Sequence, residues 1–287
     1  LILDNGTFGE RLAMIASHYL NEVIVIHKNP GEHFEIKEIE DSLHKNRVDV
    51  LAIVHGETST GMLNHMESIS QLCQEENILF VVDAISTLGG VELSVDALKI
   101  DFCISASQKA LGSIPGLSTV SISLKGWERM AAEAEIPGWY FNLRTWQRYE
   151  KEWGDWHPFP ITLPVHLFYA LNKAFDKIFE EGLEQRWERH KRIANKLYNY
   201  FESAGISLLV KDKKYLLPTV TSAILPGEMT SENLQKYMKD EFGIIIAGGV
   251  GPLRKRVFRV GHMAYSARED LINRVISGID CFLKEKC

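Results

Sequence analysis

The first part of the chain alternates short apolar runs with segments whose apolar residues recur every three or four positions. Continuous apolar runs are typical of strands buried on both faces, and the longer spacing is typical of amphipathic helices. The pattern predicts strands over 1–6, 22–26, 48–54, 78–82, 101–104 and 118–124, and helices over 8–20, 35–45 and 64–77. Strands that alternate with crossover helices form a parallel sheet. We therefore expect an α/β fold whose mostly parallel sheet carries helices on both faces.

The pattern changes after residue 124. The aromatic-rich stretch Trp139–Phe159 shows no clear period and is expected to form a long ordered loop. A helix over 163–181 should follow, with Thr162 as its N-cap and Gly182 just past its end. Beyond it we expect helices over 184–204, 231–241 and 268–283, and strands over 219–225, 243–246 and 256–260.

The order of these later elements is mixed rather than alternating, which predicts two domains. We place a large domain over 1–181 and a smaller C-terminal α+β domain over 182–287. The sequence opens at Leu1 on a strand with no preceding element. We therefore expect the N-terminal part of the large domain to be absent from it.

Composition narrows the class of protein. The 287 residues are 45% hydrophobic, and 32 basic against 38 acidic residues give a net charge of −6. The basic residues are dispersed, so nucleic acid or an anionic membrane is not expected as a partner, and no apolar stretch approaches the length of a bilayer span. The four cysteines show no paired spacing and indicate reduced thiols in a cytoplasmic protein. No cluster has metal-ligand spacing, so His55 and His157 are expected to serve packing and hydrogen bonding.

Polar segments follow three of the predicted strands directly. His55–Gly61, Asp83 and Ser107–Lys109 each come after an apolar run. The carboxyl ends of parallel strands share one edge of the sheet, where open α/β sheets bind their ligands. Hydroxyls, a carboxylate and an amine should therefore converge in one crevice.

Asp83 closes an apolar strand, where an ionised carboxylate is costly unless it meets a cation. The protonated ring nitrogen of pyridoxal phosphate would be such a cation, and Lys109 would supply the amine of a Schiff base. Each residue also has an ordinary interpretation, Asp83 as a turn cap and Lys109 as a solvated surface charge. The combination favours pyridoxal phosphate as cofactor.

Over essentially its whole length, the chain resembles the class V aminotransferases of fold type I, and within them the alanine–glyoxylate (serine–pyruvate) branch. The matching segments are Asn5–Arg11, His55–Gly61, Asp83 with Ser86–Gly90, Ser107–Leu111 with Pro115–Gly116, Gly248–Pro252 and Phe258–Gly261. The interval between Asp83 and Lys109 also fits that branch.

The resemblance implies roles around the cofactor. Lys109 would be the Schiff-base lysine and would move a proton between the substrate Cα and the cofactor, and Asp83 would partner the ring nitrogen. Phe8 would stack on the ring, Thr58 would lie near its phenolic oxygen, and Gln108 would bind the phosphate. From the pattern alone, Phe8 is equally a core aromatic, and Thr58 equally belongs to a helix N-cap.

The resemblance also implies a substrate contact and a partner. Arg259 would hold the substrate α-carboxylate, with a structural ion pair as its alternative. Thr162 would reach the phosphate of the neighbouring subunit, which implies a homodimer with shared active sites. The family's Gly-rich phosphate turn lies upstream of the stacking aromatic, and the sequence begins after that point. Phe159 stands where the family often has a phosphate-binding tyrosine.

The activity implied is transfer of an amino group from a small amino acid, such as alanine or serine, to a small 2-oxo acid, such as glyoxylate or pyruvate. A phosphonate-specific transaminase of the same family is an alternative. A truncated, non-catalytic module that binds or dimerises is another. Cysteine desulfurase is disfavoured, because Gln108 stands where that enzyme has a histidine and no cysteine lies between Cys103 and Cys281.

Overall fold

The computed structural model describes residues 1–133, 136 and 138–286. The N-terminal elements are β1 (Ile2–Asp4), α1 (Thr7–Tyr19), β2 (Val25–His27), α2 (Ile36–Lys45), β3 (Val50–Val54), β4 (Gly56–Glu57), β5 (Met62–Leu63), α3 (Glu67–Glu75), β6 (Leu79–Asp83), β7 (Phe102–Ala106) and β8 (Ser118–Ile122). Four helices follow in the described residues, α4 (Leu124–Ala132), α5 (Leu143–Trp153), α6 (Val165–Glu181) and α7 (Leu183–Ser203). The C-terminal elements are β9 (Ser207–Leu208), β10 (Val220–Ile224), α8 (Ser231–Phe242), β11 (Ala247–Gly248), β12 (Val257–Gly261) and α9 (Glu269–Lys286).

A sheet with the strand order β2-β1-β3-β6-β7-β8 forms the centre of the N-terminal part. Its pairings are parallel, except that β8 runs antiparallel to β7. The central strands β3 and β6 are apolar on both faces, and Leu51, Ile53 and Phe80 are at most 1% exposed. Burying each such side chain contributes about 2 kcal/mol. The predicted α/β fold with a mostly parallel sheet is confirmed.

The C-terminal part has its own antiparallel sheet, in the order β11-β12-β10-β9. Helices α7, α8 and α9 pack on it, and the core between them includes Phe201, Met238, Phe258 and Ile279, all fully buried. The predicted boundary at residue 181 falls between α6 and α7 and stays a prediction. Of the helices described, none combines the length and apolar character that crossing a bilayer requires.

The prediction of a loop over Trp139–Phe159 is wrong, because α5 lies inside it. The amide of Asn142 caps the helix by accepting the N–H of Arg144 at 3.1 Å. Tyr149 and Trp153 lie one turn apart on the helix, with ring centroids 4.6 Å apart. Aromatic residues flank α5 as well as occupying it, which hid the helical period in the sequence.

The prediction of Thr162 as a helix N-cap is also wrong. Helix α6 begins at Val165 with Pro164 in the cap position, and no side chain caps it. Proline lacks an N–H and has a fixed φ, so it marks the start of a helix better than a threonine two residues earlier. The predicted end at Gly182 is confirmed, since its N–H donates to the carbonyl of Ile178 with φ +84°.

The predicted strand over 243–246 lies in a different kind of structure. Gly243 ends α8 in the left-handed conformation, and the N–H of Ile244 donates back to the carbonyl of Met238. These groups complete the helix end and are not available for strand pairing. Strand β11 therefore begins only at Ala247.

Candidate active site

The carboxyl ends of β3, β6 and β7 lie side by side at one edge of the parallel sheet. In the strand register, Asp83 stands opposite Val54 on one side and Ile104 on the other. The N–H of His55, the first residue after β3, donates to the carbonyl of Asp83 at 2.9 Å. The structure thus brings together the three strand ends that the sequence predicts as neighbours.

Asp83 presents a half-buried carboxylate at this edge. Its Oδ1 accepts the N–H of Ile85 at 2.9 Å, and no other described residue donates to the carboxylate. Burial raises the pKa of Asp83, while the Ile85 N–H and the positive charge of Lys109 act in the opposite direction. Lys109 therefore lies close enough to Asp83 for the two charges to interact.

Lys109 lies in a tight turn that Ser107 closes. The Ser107 hydroxyl donates to the carbonyl of Ile114 at 2.6 Å and accepts the N–H of Leu117 at 3.3 Å. Inside this loop, the N–H of Gly112 donates to the carbonyl of Lys109 at 3.0 Å. The backbone that carries the Lys109 amine is therefore held at several points. The lysine is half-buried, and the neighbouring Gln108 is exposed.

Helix α1 begins beside this edge without a cap of its own, since Gly6 in the cap position has no side chain. Glu57, fully buried in β4, serves instead: its Oε2 accepts the N–H groups of Phe8 at 2.9 Å and Gly9 at 3.1 Å. Ser59 accepts the N–H of Thr7 at 3.0 Å and donates its hydroxyl to Glu57 Oε1 at 2.5 Å. A carboxylate at a helix N-terminus also meets the positive end of the helix dipole.

Glu57 thereby fixes the backbone at Phe8, whose half-buried ring lies 5.0 Å from the Arg11 guanidinium carbon. Burial raises the pKa of Glu57, and the hydrogen bonds from Ser59, Gly9 and Phe8 oppose that change. Sequence reasoning assigned Glu57 no role. The available signal was a carboxylate inside a run of otherwise uncharged, buried residues.

Arg259 reaches the site from the C-terminal sheet. Its Nη1 donates to the carbonyl of Thr58 at 3.0 Å, and its Nε donates to the carbonyl of Gly248 at 2.8 Å. Burial lowers the pKa of Arg259, and the negative charge of Glu57 opposes that change. The contact brings the Thr58 loop and Arg259 together, although 201 residues separate them in sequence.

Of the predicted residues, Thr162 lies apart from this cluster, while His55 serves packing and hydrogen bonding as expected. Thr162 is exposed in the stretch before α6, and it hydrogen-bonds to none of the other predicted site residues that the structure describes. His55 is fully buried, and its Nδ1 lies 2.9 Å from the hydroxyl of Thr87. Burial lowers its pKa to about 3, so the ring is neutral at physiological pH. The described residues contain no group of side chains arranged to hold a metal ion.

Comparison with known proteins identifies the family of this fold and site. The family model Aminotransferase class-V matches residues 11–271. The alanine–glyoxylate aminotransferase of Oryctolagus cuniculus is 33% identical over 283 residues, covering 97% of this chain and 71% of that protein. The (S)-ureidoglycine–glyoxylate transaminase of Bacillus subtilis is 31% identical, covering 97% of this chain and 70% of that protein.

Solved structures of aminotransferases agree with this family assignment. The alanine–glyoxylate aminotransferase of Nostoc sp. matches with a TM-score of 0.93 at 34% identity, covering 98% of this chain and 74% of that one. The ureidoglycine–glyoxylate aminotransferase of Bacillus subtilis matches with a TM-score of 0.91 at 33% identity, covering 99% of this chain and 73% of that one.

Proposed function

The chain belongs to the class-V aminotransferase family, and we propose that it transfers an amino group from a small amino acid, alanine or serine, to the 2-oxo acid glyoxylate or pyruvate. As an enzyme of this family and fold, it uses pyridoxal phosphate. Glyoxylate is the first acceptor to test, because it appears in the names of both relatives. The donors in those names differ, alanine in one and (S)-ureidoglycine in the other. (S)-Ureidoglycine is for that reason a further candidate donor beside alanine and serine.

The observation that carries the proposal is the Asp83 carboxylate beside Lys109. The Asp83 carboxylate is half-buried. Burial raises its pKa, and the positive charge of Lys109 opposes that rise. A protonated ring nitrogen at Asp83 would favour the ionised carboxylate further, because an adjacent cation lowers the pKa of a carboxyl group. The pair thus has the donor set that the cofactor requires, a carboxylate for the ring nitrogen and an amine for covalent attachment.

When bound, pyridoxal phosphate withdraws electrons from the substrate and so acidifies its Cα–H bond. We assign the proton transfer to Lys109, whose Nζ would accept the proton from the substrate Cα and deliver it to the cofactor. Asp83 would stabilise positive charge at the ring nitrogen. Phe8 would stack on the ring, and Thr58 and Gln108 would hold its phenolic oxygen and its phosphate.

Arg259 is the proposed anchor for the substrate α-carboxylate. Its Nε and Nη1 already donate to carbonyls at fixed positions, which orients the planar guanidinium. No described residue accepts a hydrogen bond from its Nη2, which remains for a substrate oxygen. A charge-assisted hydrogen bond of this kind is about twice as strong as a neutral one.

We also propose a homodimer in which Thr162 reaches the partner's phosphate site. Large apolar side chains are exposed in the segments before and after Thr162, among them Phe141 at 86% and Tyr169 at 75%. Tyr19 on α1 is 77% exposed. A second copy of the chain would remove such apolar side chains from water. The cytoplasmic location stays a prediction.

The test is a panel of amino donors, alanine, serine and (S)-ureidoglycine, each with glyoxylate and with pyruvate. Product formation is followed by mass spectrometry for the wild type, Lys109→Ala and the control Lys37→Ala, whose side chain is exposed on α2. We expect turnover with alanine and glyoxylate, its loss in Lys109→Ala, and no change in the control. Wild-type turnover by Lys109→Ala would refute the assignment of the lysine, and inactivity with all six pairs would refute the substrate class.

A further inference from the structure

Arg186 is a charged side chain on the buried face of α7. It is 5% exposed and lies in the same stripe as His190, Ile193 and Leu197, which are at most 1% exposed. Its charge is balanced by Glu181, whose Oε2 accepts from Nη1 at 2.9 Å. A buried arginine persists only where its hydrogen bonds and its charge are both satisfied.

The other two nitrogens of the guanidinium donate to two loops that are distant in sequence. Nε donates to the carbonyl of Gly89 at 2.6 Å, and Nη2 donates to the carbonyl of Ala110 at 2.8 Å. These acceptors lie 97 and 76 residues earlier in the chain. Gly89 belongs to the loop that follows Asp83, and Ala110 is the residue next to Lys109.

The two loops touch at the point that Arg186 bridges. A Cβ added to Gly90 would lie 2.9 Å from the Cβ of Ala110, so the backbones approach as closely as glycine allows. Ala110 is fully buried, and its carbonyl has no access to water. Removing the guanidinium would leave buried carbonyls unsatisfied, at a cost of about 1–3 kcal/mol each.

We propose that Arg186 is a positioning residue for transamination: its planar guanidinium locks the loop after Asp83 to the turn that carries Lys109. The spacing between carboxylate and amine is then set from α7, outside the crevice. This inference rests on the proposed roles of Asp83 and Lys109. A lysine at position 186 would keep the charge opposite Glu181 but lose the rigid fork that holds two carbonyls at once.

Arg189 provides a matched control on the same helix. It binds the same carboxylate, with Nε 2.5 Å and Nη2 2.8 Å from the oxygens of Glu181. Its Nη1 donates to the carbonyls of Ala264 and Ala267 instead of the two loops. Arg189→Lys therefore disturbs a comparable network whose hydrogen bonds do not reach Gly89 or Ala110.

The first readout is the chemical reactivity of Lys109 in the full chain before cofactor is added. Acetic anhydride labels amines in Arg186→Lys, Arg189→Lys and wild type, and peptide mass spectrometry reports labelling of Lys109 relative to exposed Lys37. We expect Arg186→Lys to raise the relative labelling of Lys109 several-fold, because the turn opens to solvent, and Arg189→Lys to leave it unchanged.

The second readout is steady-state kinetics of the loaded enzyme. Misplacing a reacting group by about 1 Å can cost on the order of 100-fold in rate. We expect Arg186→Lys to lower kcat at least tenfold with little change in KM, and Arg189→Lys to change neither by more than about twofold. Urea unfolding of both variants shows whether their losses of stability are similar.

Equal effects of the two variants on Lys109 labelling and on kcat would overturn the proposal, because a general loss of stability would then explain both. Arg186→Gln, which keeps one donor group, replaces Arg186→Lys if that variant fails to fold. The labelling result needs neither substrate nor cofactor. Full activity in Lys109→Ala would therefore refute the proposed function. The labelling experiment would still show whether Arg186 holds the Lys109 turn in place.

Discussion

His262, directly after β12, is fully buried, with its Nε2 2.7 Å from the hydroxyl oxygen of Thr221. Burial lowers its pKa from 6.5 to about 4. In the unfolded chain the imidazole is in water and has its ordinary pKa of about 6.5. Between these two values the unfolded state binds a proton that the folded state does not. The free energy of unfolding therefore falls as the pH falls from about 6.5 to about 4.

The size of this effect follows from the two pKa values. Between pH 7 and pH 5, protonation of the unfolded state at this one residue lowers the free energy of unfolding by about 2 kcal/mol. His262→Gln removes the titrating group but keeps a polar side chain facing Thr221. We expect the variant to lose about 2 kcal/mol less than the wild type over this pH range. The control is His166→Gln, at an exposed position of α6.

The assay is urea unfolding followed by tryptophan fluorescence at pH 7, 6 and 5, with the same denaturant slope for all proteins. Buried titratable groups that do not interact with His262, including His55 and Glu57, are present in both proteins and cancel in the comparison. A further loss of stability that is the same at every pH, added to the pH-dependent difference, would reflect the lost Thr221 contact. If both proteins lose the same stability between pH 7 and pH 5, the reasoning from burial is refuted.

Three further predictions concern the site and the core. Arg259→Lys should raise KM for the amino donor at least tenfold, since a single ammonium cannot keep both carbonyl contacts and bind a carboxylate, and equal KM values in steady-state kinetics would contradict this. Glu57→Gln should lower the free energy of unfolding by about 1 kcal/mol in urea, because the N-terminus of α1 loses its negative charge, and an unchanged midpoint would count against that role. Phe258→Ala should cost about 3–5 kcal/mol in the same assay, because Phe258 is fully buried, and a loss below 1 kcal/mol would show that the core collapses around the cavity.

The neighbourhood of Asp83 and Lys109 could be predicted because it depends on one general rule. Apolar runs mark parallel strands, parallel strands end at a common edge, and the residues after them meet there. The interaction between Asp83 and Lys109 follows from this order alone. The rule uses only local sequence and the direction of the strands.

Arg186 and Glu57 could not be assigned in that way, because their partners are distant backbone atoms. No local pattern tells which carbonyl will stand opposite an arginine 76 residues later. For Arg186 the only signal was weak, a charged residue on a largely apolar stripe of a helix. The same limit explains the missed helix α5, whose cap depends on one Asn142 amide amid aromatic residues on every side.

The N-terminus of α1 is capped by Glu57, a residue from a distant part of the sequence, and this affects the order of folding. The carboxylate that completes the first turn of this helix lies 49 residues further along the chain, in β4. Closing such a loop costs conformational entropy before the contact returns any stability. The start of α1 should therefore be among the late events of folding, after β1 and β3 have paired. In kinetic terms, truncating Glu57 should speed unfolding more than it slows folding.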